Sequence, residues 1–118
     1  MVITFGQNIK QQRLRLEYSL RKVCEAVLND DGNAISVSYL NDIEQGRRNP
    51  PTGKVVVQLA KVLNLDVQEL LGKAGKVDPI IEDAVNKEVE VGVLFRRIAE
   101  KAQADPGVLE RLKKELDK

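Results

Sequence analysis

The feature that most constrains this chain is a short polar stretch between Ser36 and Gly46, which lies between segments with apolar residues at helical spacing. Ser36 is a typical N-cap residue, and Gly46 can adopt the left-handed conformation that ends a helix. Within the stretch, only Leu40, Ile43 and Tyr39 can face a core. The sequence therefore predicts a short helix that exposes most of its surface to solvent or to a partner.

Apolar residues spaced three to five apart predict further helices on both sides of this stretch. We expect a first helix over Phe5–Leu16, a second over Leu20–Leu28 with Ser19 as its cap, a fourth from a Thr52 cap to Leu63, and a fifth over Asp66–Leu71. Residues 72–77 are then predicted to form a hinge. An aromatic content of only 3% also favours packed helices or a parallel sheet over an aromatic-rich β-sandwich.

The balance of basic and acidic residues changes after this hinge. Residues 1–76 carry 11 basic and 8 acidic side chains, whereas residues 77–118 carry 8 and 10, so the formal net charge of +1 conceals two parts of opposite sign. Asp78-Pro79 and Asp105-Pro106 favour helix starts, because proline fits the first turn. The stretch Val89–Val93 alternates like a strand but leads directly into helical spacing, so we predict a helix there. We expect two domains, at 1–76 and 77–118.

The composition argues against an enzyme, a metal site and a membrane protein. The chain has no histidine and one cysteine, so it offers neither a histidine proton shuttle nor a Cys/His zinc cluster. Cys24 is interpreted as a small buried hydrophobe in preference to a redox sensor. No apolar stretch approaches the ~20 residues that span a bilayer, and the first six residues lack a signal-peptide pattern. We expect no catalytic residue, no cofactor and a cytoplasmic location.

A capped helix, a turn and a short polar helix ending at glycine form the layout of a helix-turn-helix. The residues resemble the Cro/C1-type (XRE) helix-turn-helix regulators over Phe5–Leu71. The resemblance is carried by Phe5-Gly6-x-x-Ile9-Lys10-x-x-Arg13, Ser19-Leu20-Arg21-Lys22-Val23, the block from Ile35 to Pro51, Leu59-Ala60-Lys61-Val62-Leu63, and Leu70-Leu71. It implies an all-α, five-helix, lambda-repressor-like DNA-binding domain, here with a helical C-terminal extension. In that fold Leu20–Leu28 is the positioning helix and Ser36–Gln45 the recognition helix.

The resemblance places the base-reading residues near the start of the recognition helix, because an α-helix fits the major groove of double-stranded DNA. The candidates are Val37, Ser38, Asn41 and Asp42. Val37 can touch a thymine methyl group, and Asn41 can pair with adenine. Phosphates repel Asp42, yet its carboxylate can accept from a cytosine amino group.

A second set of residues is predicted to contact phosphate, which positions the protein without reading sequence. These residues are Ser19, Arg21, Lys22, Arg47, Arg48 and Asn49. A merely solubilising surface is the alternative, and it is a stronger alternative for Arg21 and Lys22. The resemblance also implies a partly buried ion pair between Arg13 and Glu44, which would tie the first helix to the recognition helix.

The sequence departs from the family in the turn, which normally has three or four residues. Residues 28–34 add about six residues there, and two of them are aspartates that would oppose a phosphate backbone. We therefore expect this loop to point away from DNA. Its likeness to a calcium loop is superficial, because the downstream bidentate glutamate is missing.

Family members usually bind near-palindromic sites as two-fold dimers, so we expect a homodimer held by residues 78–118. The apolar stripe predicted to form that interface comprises Val91, Leu94, Phe95, Ile98, Leu109, Leu112 and Leu116. Packing of these helices on their own monomer is the alternative, and a protein partner or inducer at this segment also stays open. A repressor is the favoured function, and an antitoxin with a protein partner is the second candidate. An adaptor or an enzyme on the same fold remains a third class.

Overall fold

A computed structural model describes residues 3–118, and within them it contains eight helices and no strand longer than an isolated bridge. The prediction that the first six residues lack a signal-peptide pattern falls in part on Met1 and Val2, which lie outside the described residues. The helices are α1 Phe5–Arg15, α2 Leu20–Glu25, α3 Val37–Glu44, α4 Gly53–Val62, α5 Val67–Ala74, α6 Pro79–Lys87, α7 Val89–Ala104 and α8 Val108–Leu116. The predicted all-α fold is confirmed.

Short polar side chains fix where the helices begin. The hydroxyl groups of Ser19 and Ser36 each accept a hydrogen bond of 3.0 Å, from the backbone N–H of Lys22 and Tyr39 respectively. These bonds satisfy N–H groups that lack a partner within the helix. Thr52 stands at the N-cap of α4 without such a bond, and its hydroxyl instead donates to Asp30 Oδ1 at 3.1 Å.

The described residues form two compact units, residues 3–79 and residues 80–118, the first of which contains α1–α5. All of the buried apolar side chains in the core cluster belong to this first unit. Its centre is formed by side chains that are at most 1% exposed, among them Ile9, Val27, Leu40, Val56 and Leu59. Burial of this apolar face, more than helix propensity, holds such short helices in place.

Two predicted helix boundaries in the first unit are wrong. The second helix ends at Glu25 and not near Leu28, because Val27 accepts from the Ile35 N–H at 3.1 Å and Leu28 forms an antiparallel bridge with Ala34. The predicted hinge over residues 72–77 begins too early, since α5 continues through the buried Ala74. Gly75, with φ of 67°, ends that helix in the left-handed conformation.

The second unit, residues 80–118, contains α6 from its second residue onward, together with α7 and α8. The helix predicted over residues 89–93 is present as the start of α7. Helix α8 starts at Val108 and not at Asp105-Pro106, because the Asp105 carboxylate accepts from the Gly107 N–H at 3.0 Å in a preceding turn. Within the described residues, no helix is long and apolar enough to cross a membrane.

Candidate nucleic-acid interface

Helix α3 is anchored to α1 by a buried ion pair. Arg13 Nε donates to Glu44 Oε2 at 2.8 Å, and Arg13 Nη2 donates to Glu44 Oε1 at 2.9 Å. Arg13 is 8% exposed and Glu44 is 5% exposed, while the third donor, Arg13 Nη1, reaches the Tyr18 carbonyl oxygen at 2.9 Å. The hydrogen bond to Glu44 raises the pKa of Arg13, against an opposing effect of burial. This two-pronged contact fixes how α3 lies on α1.

A close backbone approach supports the same junction. A Cβ atom at Gly6 would collide with the Ile43 carbonyl oxygen and would lie 2.9 Å from that of Glu44. The first turn of α1 can therefore approach the end of α3 only because position 6 lacks a side chain. Sequence reasoning noted Gly6 only as part of a motif, and its place in the first turn of a helix was the available signal.

The outward side of α3 carries the predicted base-reading side chains. Val37 is 37% exposed, Ser38 is exposed, and Asn41 and Asp42 are half-buried. The buried residues of this helix are Leu40, Ile43 and Glu44, and the partly buried Tyr39 packs against the core. Helix α3 therefore presents its first turn and its Asn41 side to the surroundings, while the opposite side is fixed in the core.

The end of α3 folds two arginines back against the helix. Gly46, with φ of 77°, allows its N–H to bond the Ile43 carbonyl oxygen at 3.1 Å and the Arg47 N–H to bond the Asp42 carbonyl oxygen at 2.8 Å. This pair of bonds is a Schellman motif. Arg47 Nη1 then lies 3.1 Å from Asp42 Oδ1, and Arg48 Nε lies 3.9 Å from Asp42 Oδ2.

The remaining predicted phosphate contacts are exposed. They are Ser19, Arg21, Lys22 and Asn49. Lys22 Nζ lies 4.2 Å from the centroid of the Tyr18 ring, and the Arg48 guanidinium carbon lies 5.3 Å from that of Tyr39. Both cations are therefore supported by aromatic faces while they remain accessible.

The inserted loop between α2 and α3 is a small, ordered hairpin. Asn29 Oδ1 accepts from the N–H groups of Asp31 and Asn33 at 2.9 and 3.0 Å. Gln58 of α4 pairs with both backbone groups of Leu28, accepting from its N–H at 2.8 Å and donating to its carbonyl at 2.9 Å. Sequence reasoning missed Gln58, since nothing local indicates which backbone group a glutamine will meet. The hairpin is tied to the core and thereby sets the start of α3.

No potential metal cluster of three or more His, Cys, Asp or Glu side chains occurs among residues 3–118. Cys24 is buried in the core, and burial raises the pKa of its thiol. A thiol of this kind is a weak nucleophile, because the thiolate is the reactive form. The candidate surface of the first unit is the exposed side of α3 with the arginines that follow it, Arg47 and Arg48.

Comparison with known proteins identifies this arrangement. A family model described as helix-turn-helix matches residues 9–70. Two solved structures are similar: the master regulator for biofilm formation SinR in complex with DNA, and the SinR protein/SinI protein complex. The first is 32% identical, with 58% of this chain and 98% of that chain covered and a TM-score of 0.47. The second is 28% identical, with 88% and 99% covered and a TM-score of 0.47.

No curated protein matches the chain. The family model alone spans more than half of the sequence, and it covers the anchored helix α3, the inserted hairpin and the Arg13–Glu44 pair. The chain belongs to the XRE-type helix-turn-helix family of DNA-binding transcriptional regulators.

Proposed function

We propose that this regulator is a repressor that binds a near-palindromic operator in double-stranded DNA as a homodimer. The observation that carries the proposal is the surface of α3, which exposes Val37, Ser38 and the Asn41 side while Glu44 holds the helix in the core. A helix held in this way can enter the major groove without rearrangement. A dimer bound at a promoter blocks access of the polymerase.

Base reading is assigned to Val37, Ser38, Asn41 and Asp42. The amide of Asn41 can donate to and accept from adenine in a bidentate pair, and Ser38 can donate or accept. Val37, exposed in the first turn, offers a methyl surface to thymine. Asp42 differs from the other three, because both of its carboxylate oxygens face arginines in the free protein.

Phosphate contacts are assigned to exposed side chains at the start of α2 and after the end of α3. Arg47, Arg48 and Asn49 follow α3, and Ser19, Arg21 and Lys22 stand at the start of α2. The side chains of Arg47 and Arg48 are 62% and 60% exposed, so they can exchange their present partners for phosphate oxygens. Such contacts fix the register of the protein on the duplex and make binding depend steeply on salt.

Dimerisation is assigned to the second unit. Within the described residues 80–118, α6, α7 and α8 contain no buried side chain. Leu94 is 58% exposed, Phe95 44% and Leu109 47%, while Val91, Ile98 and Leu112 are half-buried and Leu116 is 83% exposed. Apolar side chains exposed in this number favour a partner, and a second copy of the chain is the simplest one.

Selection from randomised duplex DNA, followed by sequencing and a salt titration on the selected site, tests the proposal. We expect a two-fold motif with half-site centres about 34 Å apart, or a multiple of that distance. Asn41→Ala should relax preference at one position of each half-site. Arg48→Ala should weaken binding to all sequences and reduce the salt slope by about one per protomer. Weak, sequence-blind binding by the unmodified chain would refute base reading by α3.

Sedimentation equilibrium of the full chain tests the homodimer. Phe95→Asp introduces a charge into the apolar surface of α7 and should shift the chain to a monomer, whereas Gln103→Asp, at an exposed polar position of the same helix, should not. A monomeric unmodified chain would contradict the homodimer. That result would favour the second candidate, an antitoxin whose exposed apolar surface binds a different protein.

A further inference from the structure

Helix α3 carries two acidic residues near its end, and they lie in opposite environments. Glu44 is buried, and both of its carboxylate oxygens accept hydrogen bonds from Arg13. Asp42 lies at the surface, where its side chain is 30% exposed and each oxygen faces a different arginine. A carboxylate on the proposed DNA-facing helix repels phosphate, so the position of Asp42 needs an explanation.

The contact between Asp42 and the arginines is built into the backbone. In a Schellman motif, the residue after the left-handed glycine is brought next to the residue five positions earlier, and an apolar contact usually forms there. Here these positions are Arg47 and Asp42. The Arg47 N–H donates to the Asp42 carbonyl oxygen at 2.8 Å, and the bond of 3.1 Å from the Gly46 N–H to the Ile43 carbonyl oxygen completes the motif. The ion pair therefore follows from the way α3 ends. It does not depend on a chance meeting of two long side chains.

The arrangement also resembles the way that a phosphate is held. A carboxylate that presents one oxygen to each of two guanidinium groups occupies the same donors that a DNA phosphate would use. The stacking of Arg48 on Tyr39 keeps the second guanidinium close to Asp42. Three charged groups thus carry a combined charge of +1, and neutralising Asp42 would raise it to +2.

We propose that Asp42 is a specificity-determining residue that acts as an internal competitor for phosphate. This inference rests on the proposed base reading by α3. On DNA of arbitrary sequence, Arg47 and Arg48 reach phosphates only by leaving the carboxylate unpaired in a strongly negative field. At the operator, an amino group of cytosine or adenine in the major groove satisfies the carboxylate, so the arginines can move to phosphate at no such cost.

The first test compares the unmodified chain, Asp42→Asn and Asp42→Ala on the selected operator and on a random duplex. We expect both variants to bind random DNA about three- to tenfold more tightly, with a salt slope steeper by about one per protomer. Affinity for the operator should rise less or fall, so the specificity ratio decreases. Glu69→Gln is the matched control, since it removes one exposed negative charge of α5 that forms no ion pair with Arg47 or Arg48.

The second test removes the arginines. In a chain with Arg47→Gln and Arg48→Gln, the further change Asp42→Asn should no longer raise affinity for random DNA. If the increase persists, Asp42 acts by direct repulsion of phosphate and the inference is wrong. An equal increase on both duplexes would also overturn it, because the residue would then tune affinity without affecting specificity.

These outcomes separate the inference from the proposed function. Preference of the unmodified chain for its selected operator tests base reading by α3 alone. Only the change in that preference at Asp42, and its loss in the arginine-free background, tests the role of the carboxylate. Circular dichroism on every variant confirms that α3 is retained, because Asp42 contributes no side chain to the buried core.

Discussion

The two units of this chain solve the problem of stability in different ways. Residues 3–79 bury an apolar core, pair their one buried arginine with their one buried glutamate, and leave a polar helix on the outside. Residues 80–118 form regular helices whose apolar side chains stay exposed or half-buried. Short helices are marginal unless an apolar face is buried. The first unit therefore has a buried core of its own, whereas the described helices of the second unit bury no side chain, and the proposed dimer would cover their apolar side chains.

The difference also separates two tasks. Under the proposed function, the first unit needs a rigid helix, because base reading requires side chains held in a fixed geometry. The proposed dimer needs an apolar contact surface in the second unit, and the exposed Phe95 and Leu94 of α7 are assigned to it. We expect substitutions in the first unit to act on unfolding and substitutions in the second to act on assembly.

The largest effect is expected at the buried ion pair. Arg13→Ala leaves Glu44 as an unpaired buried charge, which costs about 3–5 kcal/mol of unfolding free energy. Urea denaturation followed by circular dichroism measures the loss. Arg15→Ala, at an exposed position of the same helix, should change the unfolding free energy by less than about 0.5 kcal/mol. If both substitutions change the unfolding free energy by a similar, small amount, the Arg13–Glu44 pair does not anchor α3.

A matched pair of leucines compares the units most directly. Leu59→Ala empties a site that is 0% exposed and should cost about 2–5 kcal/mol. Leu94→Ala, at 58% exposure, should cost less than about 0.5 kcal/mol at protein concentrations below the dissociation constant of the proposed dimer. At high concentration the same change should lower stability more, since it weakens the dimer. A large, concentration-independent effect of Leu94→Ala would show that the second unit has a core of its own.

Two glycines inside helices of the first unit should respond with opposite signs. Gly6→Ala forces a Cβ against the Ile43 carbonyl oxygen and should destabilise by about 1–3 kcal/mol. Gly72→Ala, which meets open space in α5, should stabilise by roughly 0.5–1 kcal/mol because alanine favours helix. Thermal unfolding of both variants measures the contrast. Equal effects would contradict the close approach of α1 and α3.

The smallest effect is expected in the second unit, at Asp105. The hydrogen bond from Arg111 at 2.6 Å, followed by that from the Gly107 N–H, lowers the pKa of this carboxyl below its ordinary value. A depressed pKa in the folded state stabilises the turn above the unfolded pKa, and this contribution is lost as pH falls through the folded pKa. NMR titration of the Asp105 carboxyl carbon should show a higher titration midpoint in the Arg111→Met variant than in the unmodified chain. An unchanged midpoint would mean that the exposed pair does not persist in solution.

Local chemistry made much of the fold predictable. Ser19 and Ser36 indicated helix starts because an N-cap needs only its own hydroxyl and an N–H three residues later. Apolar spacing likewise favoured a helix over the alternating residues at the start of α7. These features depend on neighbours in sequence, so sequence was sufficient for them.

The remaining features depend on contacts between residues that are far apart. The second helix ends early because Ile35 and Gln58 bind the chain that follows it, and Gln58 is 30 positions from Leu28. The close approach at Gly6 involves α3, which sequence alone does not place. The Arg13–Glu44 pair was expected only from the family resemblance. The engagement of Asp42 had a local signal in the glycine-terminated helix, and it was overlooked.

The central claim is that the first unit reads DNA and the second joins two such readers. Its most direct test is the affinity of the full chain for the selected operator and for the same duplex with one half-site scrambled. We expect the unmodified chain to prefer the intact operator by about a hundredfold or more, and Phe95→Asp to bind both duplexes alike while it keeps its preference within a half-site. Equal affinity of the unmodified chain for both duplexes, unchanged by Phe95→Asp, would contradict the account.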